Sequence, residues 1–289
     1  MAGGTLYLVA TPIGNLGDVS IRALEILRMV PLIAAEDTRI SRRLLGLHQI
    51  ETRLTSYHAR SDAARTVLLL AHLRGGADLA LVTDAGTPSI SDPGMELAAA
   101  WASEGGRVEA IPGASAVLVA VAASGIAGPR WSFEGFLPRS GRERRERLAR
   151  LAADERGAVL FEAPGRLVAT LRDLAIACGP ERPAAVCREL TKLHEQVTRG
   201  SLGALLTAAT DGTIPARGEI AIVIGWSSGA GLAAIAESGE AALVEARASV
   251  ERLVRDGLAR GDAARQVASA TGVPRRQLYQ APTVTDEGS

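Results

Sequence analysis

The chain has 289 residues, 47% of them hydrophobic and only 3% aromatic, with 32 basic side chains balanced by 32 acidic ones. That length suits two domains with a short third module, and that apolar content excludes disorder as the default. Zero net charge excludes a nucleic-acid contact driven by bulk charge, so any such contact must come from local basic patches.

Only two cysteines occur, Cys178 and Cys187, too few for a disulfide framework and without zinc-ligand spacing. They read as small buried hydrophobes in a reducing compartment. No metal site is expected. The first residues lack a basic segment followed by a long apolar run, and no apolar stretch nears the length of a bilayer span. A cytoplasmic chain with no membrane partner is expected. Lys192 is the sole lysine among many arginines.

In chain order, residues 5–10 form a compact β-branched and apolar strand. A turn-rich loop follows, then a helix with Ser20 as N-cap and Ile21, Leu24 and Leu27 on one face. Residues 32–35 are a strand ending at Glu36-Asp37, and 38–47 are helical. A strand over 53–58, a helix over 62–74 stopped by Gly75-Gly76, and a strand over 79–83 follow. After the loop 85–94 comes a helix to about Glu104, with Asp92 as its cap, then a strand over 108–111. The rhythm restarts after a helix near 116–124, with strands over 131–136, 158–162, 184–190 and 219–226.

Alternating strands and helices predict largely parallel sheets covered on both faces. The expected fold class is α/β: two α/β domains, 1–115 and 116–228, followed by a small helical module over 240–289. A linker over 227–231 leads to a helix over 241–258. Two short helices then break at 271–274, a helix-turn-helix-like pattern. The tail 283–289 reads as frayed.

Several strand-end loops carry polar residues. In open parallel sheets, ligands bind outside the carboxyl ends of the strands. The first loop, Ala10 to Asp18, has neither a GxGxxG nor a P-loop pattern, which argues against a nicotinamide dehydrogenase; a tight turn explains it equally well. At Asp84-Ala85-Gly86-Thr87-Pro88, a carboxylate at a strand end can accept hydrogen bonds from ribose hydroxyls or an amine. Ser115 opens a helix, either as a plain N-cap or as part of an anion-facing N-terminus. Glu36-Asp37-Thr38-Arg39 is a site or merely a favourably charged helix start. His58 is a base, an RNA contact or a structural hydrogen-bonder. The densest basic run includes Arg139, Arg142, Arg144 and Arg145, with Glu143 and Glu146 interleaved. It is either a solvated helix face or a phosphate-contacting arm, in which Arg144 and Arg145 are expected to meet phosphates.

Taken in order, Ala10 to Asp18, Ala35-Glu36-Asp37-Thr38-Arg39, Ser56-Tyr57-His58, Asp84 to Pro88, Pro112 to Ala116, Phe133 to Pro138 and Arg188-Glu189-Leu190-Thr191-Lys192 resemble the ribosomal RNA small subunit methyltransferase I family of the tetrapyrrole-methylase superfamily. The resemblance spans Thr5 to about Trp226, and the C-terminal module is similar to an appendix of many members. Two positions depart from the family pattern: Arg60 and Gly165 stand where members carry histidine.

The resemblance implies S-adenosylmethionine as cofactor, bound in the cleft between the two α/β domains. It implies a homodimer acting on 16S ribosomal RNA of the small subunit, methylating a cytidine 2′ oxygen in the decoding region. Carried over, Pro12, Ile13, Asp84, Ala85, Gly86, Thr87, Pro88, Ser115 and Ala116 line the cofactor pocket, and Phe161, Leu190 and Ala221 close it. Candidates for activating the hydroxyl are Asp37, His58, Glu189 and Lys192, the last only if burial lowers its pKa; Glu36, Asp37 and Arg39 are the expected orienting groups. Two rival readings remain: a corrin or porphyrin methylase with the same cofactor, and a non-enzymatic nucleic-acid-binding regulator built on the helix-turn-helix-like module.

Overall fold

The computed structural model describes residues 3–58, 63–90, 94–227, 243–271 and 273–278. The chain separates into two compact units, Met1–Trp226 and Ser227–Ser289.

The first sheet contains β1 (Thr5–Val9), β2 (Leu32–Ala35), β3 (Arg53–Ser56), β4 (Leu79–Val82) and β5 (Arg107–Ile111) in the order β3-β2-β4-β1-β5. Every pair is parallel. Central strands of such a sheet are buried on both faces, which is why β4 reads Leu-Ala-Leu-Val without a polar break. Successive side chains alternate between two cores. Tyr7, Ile33, Ala80 and Val82 pack with α1 (Ile21–Met29) and α2 (Thr38–Leu47), whereas Leu6, Ala34, Leu79 and Leu81 pack with α3 (Ala63–Arg74) and α4 (Met95–Ser103).

Local capping sets where these helices begin. The Ser20 hydroxyl accepts the Ala23 N–H at 3.1 Å, as its N-cap position requires. Ile21, expected on the core face, is instead exposed, because the buried face of α1 runs through Ala23, Leu27 and Val30 at i, i+4 and i+7, and Ile21 lies off that stripe. The N-cap of α4 is Gly94, and the expected cap Asp92 lies outside the described residues.

The second sheet contains β6 (Trp131–Phe136), β7 (Gly157–Glu162), β8 (Pro183–Arg188), β9 (Gln196–Ser201) and β10 (Ile220–Ile224), ordered β6-β7-β10-β8-β9. Here the expectation of a parallel sheet fails. Only β6 and β7 run parallel; β10 is antiparallel to both β7 and β8, and β9 closes a hairpin with β8. The sequence reading missed β9 because an edge strand reading Gln-Val-Thr-Arg-Gly-Ser buries little and lacks an apolar run.

Helices α6 (Gly141–Ala153), α7 (Leu167–Cys178) and α8 (Leu202–Thr210) supply the core on one face of this sheet. The other face is covered by α5 (Ala116–Ser124), and Ile13, from the loop after β1, joins that same cluster beside Val159, Cys187 and Ala221. The first-sheet loops therefore pack directly on the second sheet.

The unit Ser227–Ser289 has its own small core of Ala246, Val250, Ala263, Ala264, Val267 and Leu278. It is built by α9 (residues 243–255), α10 (Arg260–Thr271) and α11 (Arg275–Leu278). The expected linker, beyond Ser227, and the tail lie outside the described residues.

Candidate active site

Three loops leaving the first sheet are stitched together by their own backbones. Thr11 and Gly86 exchange N–H to carbonyl bonds of 2.8 and 3.0 Å. The Thr11 hydroxyl donates to the Thr83 carbonyl at 3.1 Å, and the Thr87 hydroxyl to the Ala114 carbonyl at 3.3 Å. Gly86 has φ of +81°, a conformation that costs glycine nothing.

These loops form one wall of a cavity of about 400 Å³. From the loops come Ile13, Ala85, Gly86, Thr87, Ser115 and Ala116; from the second sheet and its loops come Phe161, Leu190 and Ala221. All nine were expected to contact cofactor. Ser115 occupies the N-cap position of α5 and makes no capping bond, and Ser115, Ala116 and Val117 at the start of this helix line the cavity. Phe161 is braced edge-on by Phe133 at 5.0 Å between ring centroids.

The other expected cofactor residues are placed differently. Pro12 and Asp84 line a second cavity of about 290 Å³, which shares Ile13, Ala85 and Glu219 with the first. Pro88 lines neither; it is buried inside the turn closed by the Ile90 N–H on the Thr87 carbonyl.

At the ends of β2 and β4, three carboxyl groups meet. The Asp37 N–H donates to Asp84 Oδ1 at 2.9 Å, and the Asp84 N–H donates to Glu36 Oε2 at 3.3 Å. Burial raises the proton affinity of both Glu36 and Asp84, and each also feels neighbouring negative charge. His58 is exposed, and its charge acts on Glu36 in the opposite sense. Asp37 differs: hydrogen bonds from the Arg39 side chain hold it down to about 2, through contacts of 2.5 to 3.1 Å. Asp37 also caps α2, accepting the Arg39 N–H at 2.8 Å. It is therefore a fixed anion that sets loop geometry and a poor proton acceptor.

The raised Glu36 pKa has a consequence for stability. The folded state disfavours its charged form, so its contribution is intact below the ordinary 4.5 and is lost as pH rises through the folded value. Glu36→Gln keeps an acceptor for the Asp84 N–H and removes the charge. Its melting temperature is expected to exceed that of the unaltered protein at pH 8, and the gap to close by pH 4. Thermal melts across that range check this; a gap that widens toward low pH contradicts it.

A second polar joint comes from the turn after β8. Glu189 Oε1 accepts both the Glu219 N–H at 2.8 Å and the Lys192 ammonium at 2.9 Å, and Lys192 reaches Glu219 Oε2 at 3.1 Å. Glu189 and Thr191 adopt left-handed backbone, φ +52° and +65°, a cost retained only where surrounding contacts impose it. The Glu219 N–H bond and the Lys192 ammonium lower the Glu189 pKa. Burial works to lower the Lys192 pKa, but the two carboxylates outweigh it and the value is raised. Lys192 is an ammonium here, and the condition set for it as a base is not met. Its stem crosses Gly14 so closely that a Cβ on Gly14 would fall 2.4 Å from Lys192 Cγ. A glycine from the loop after β1 thus seats a cation from the turn after β8 at the edge of the smaller cavity.

The arginine run separates into two groups. Arg139, Arg142 and Arg145 are exposed, Arg142 being paired with Glu146 at 2.5 Å. Arg144, expected to meet phosphate, is buried at 6% exposure. It donates to the Pro138 carbonyl at 2.8 Å, Asp173 Oδ2 at 2.8 Å and the Thr170 hydroxyl at 3.0 Å. Thr170 in turn donates to buried Glu162 at 2.6 Å. A guanidinium with this set of internal partners is a structural post.

Sequence reasoning missed Ser41, Arg43, Thr83 and Glu219, which line the smaller cavity, and Phe136, Glu162 and Cys187, which line the larger. Ser41 and Arg43 sit in an ordinary helix pattern and carry no local signal. Among the described residues no group of His, Cys, Asp or Glu is arranged to hold a metal ion, and no helix is long and apolar enough to cross a membrane.

Residues 5–206 match the family model described as Tetrapyrrole (Corrin/Porphyrin) Methylases. The chain is 48% identical over 277 residues to Ribosomal RNA small subunit methyltransferase I of Synechocystis sp., covering 96% of both chains. It is 44% identical to the protein of that name from Mycobacterium bovis, covering 97% of this chain and 95% of the relative. Among solved structures, a cobalt precorrin-4 methyltransferase aligns with TM-score 0.60 at 20% identity, over 79% of this chain and 95% of that one. A uroporphyrin-III C-methyltransferase from Thermus thermophilus, complexed with S-adenosylhomocysteine, aligns with TM-score 0.55 at 20% identity, over 77% and 97%. At that identity the two structures speak for the fold, whereas the full-length relatives speak for the branch. The chain belongs to the tetrapyrrole methylase family, within the branch formed by the ribosomal RNA small subunit methyltransferases I.

Proposed function

We propose that this chain transfers a methyl group from S-adenosylmethionine to small-subunit ribosomal RNA, at the 2′ oxygen of a cytidine in the decoding region. The observation that carries the proposal is the cleft itself: three stitched first-domain loops and the uncapped Ser115 face Phe161, Leu190 and Ala221 across about 400 Å³. That donor set fits the cofactor. Apolar side chains and loop backbone suit a flat adenosyl group, and the N-terminus of α5, which has no side-chain cap, suits a carboxylate. When bound, the cofactor supplies an electrophilic methyl on a sulfonium, a group that needs positioning more than activation.

The protein's own residues have four tasks. The Thr11–Gly86 and Thr87–Ala114 ties hold the cofactor-facing loops rigid. Phe136, Phe161 and Leu190 exclude water from the cleft. Asp84, with Glu36 behind it, is the carboxyl group whose raised proton affinity suits it to take the ribose hydroxyl proton; Asp37 with Arg39 orients it. Lys192 remains charged and meets the negatively charged RNA, with exposed Arg139, Arg142 and Arg145 as further phosphate contacts. A homodimer in the cytoplasm belongs to the same proposal.

The test is transfer of labelled methyl from S-adenosylmethionine to small subunits lacking the modification, with the product nucleotide mapped. Label on one cytidine ribose is expected. Label on a tetrapyrrole precursor and none on RNA would replace the acceptor with that of the structural neighbours.

A further inference from the structure

The smaller cavity, of about 290 Å³, lies between the first sheet and α1 and α2. Leu27, Ile33, Leu44, Leu45 and Val82 give it an apolar floor. Two hydroxyl-bearing residues, Ser41 and Thr83, line it as well. Ser41 is 7% and Thr83 1% exposed, and neither Ser41 Oγ nor Thr83 Oγ1 has a hydrogen-bond partner among the described residues. An unpartnered hydroxyl in an apolar site is unfavourable, and two in one cavity need a common explanation. At the rim stand Arg43, Lys192 and Asp84, and the wall of Ile13, Ala85 and Glu219 is shared with the cofactor cleft.

A ligand that suits this cavity has flat apolar faces, a polar edge, and negative charge where it leaves the pocket. A single nucleobase on an RNA strand has all three. We propose that this cavity receives the base of the acceptor nucleotide, swung out of the RNA, with the Ser41 and Thr83 hydroxyls hydrogen-bonded to its polar edge. The proposal rests on the RNA methyltransferase function above and adds where specificity is read. Enzymes that do chemistry on a base take it out of its stack and read its edge in a snug pocket, and the same geometry would let an enzyme acting on a ribose choose its nucleotide. Here the ribose comes to lie at the shared wall, beside Asp84 and facing the cofactor cleft, and the flanking phosphates lie at Arg43 and Lys192. The apolar floor supplies the stacking surface that aromatic residues give elsewhere.

The test uses Ser41→Ala and Thr83→Val, which remove the hydroxyls with little change of shape. Each deletes a buried polar group without a protein partner, so melting temperature is expected to stay level or rise by about 2–4 °C. S-adenosylhomocysteine affinity, by calorimetry, is expected to stay within about twofold. kcat/KM for methyl transfer to unmodified small subunits is expected to fall about tenfold for each, and discrimination against uridine at the target position to narrow. A photoreactive 5-iodocytidine at that position is expected to crosslink to the peptides carrying Ser41 or Thr83.

Turnover and discrimination unchanged in both variants would overturn the base pocket, as would a loss that merely follows weakened S-adenosylhomocysteine binding, and both results would leave the methyltransferase function standing. Failure of the unaltered protein to methylate RNA would overturn that function and the base pocket with it.

Discussion

Lys192→Met is expected to lower kcat/KM for methyl transfer to RNA by about 10- to 150-fold, the equivalent of one charge-assisted hydrogen bond of roughly 1.5–3 kcal/mol. Methionine keeps an unbranched stem over Gly14, so packing at that close approach is conserved. What disappears is the ammonium between Glu189 Oε1 at 2.9 Å and Glu219 Oε2 at 3.1 Å. Two carboxylates are then left facing a polyanionic substrate without their counter-charge. The loss is expected mainly in KM for RNA, with the slope of log affinity against log salt reduced by about one. The melting temperature is expected to change little, because Glu189 Oε1 keeps the Glu219 N–H and the Glu219 side chain is largely exposed to water. Steady-state kinetics at several salt concentrations separate the outcomes: an unchanged kcat/KM with a lowered melting temperature would make Lys192 a strut between β8 and β10 and nothing more.

Arg144→Ala is expected to destabilise the protein by about 3 kcal/mol, a fall of roughly 6–12 °C in melting temperature. The guanidinium is the shared donor for Asp173, Thr170 and the Pro138 carbonyl, and through Thr170 it steadies Glu162, whose side chain is almost fully buried. Removing one partner from a buried set strands the others, which costs more than the bond itself. Asp173 is partly exposed and water will compensate it, which holds the figure below the top of the range for buried pairs. Arg139→Ser, Arg142→Ser and Arg145→Ser together are expected to leave the melting temperature within a degree or two and to flatten the salt dependence of RNA binding. If the triple variant melted early and Arg144→Ala did not, the division of the run would be reversed.

The difference between Arg144 and its neighbours was partly legible in the sequence. Residues 144, 148 and 151 lie at i, i+4 and i+7 on α6, and Leu148 and Leu151 are core residues. An arginine on that stripe is on the buried face by helical period alone. Charge density marks the run as a unit, whereas the period divides it.

The sequence by itself determined the order of elements that build the first sheet and the loops that carry the site. Buried parallel strands must be apolar runs, and helix starts need caps such as Ser20 and Asp37, so both leave local marks. The ordered motif loops also determined the family. Strand direction in the second sheet left no such mark: β10 reads as a buried apolar run whichever way it pairs, and β9 is an edge strand with little to bury.

Only the tertiary structure decided which carboxyl groups have their proton affinity raised and how the loops divide into two cavities. Proton affinity depends on burial and on charges brought from far along the chain, as when the Asp37 N–H meets Asp84, 47 positions away. The cavities exist because Ile13 and Ala85 form a wall between a cleft closed by the second sheet and a pocket closed by α2. Periodicity and turn chemistry act over a few residues, and these contacts arise only when the chain folds back on itself.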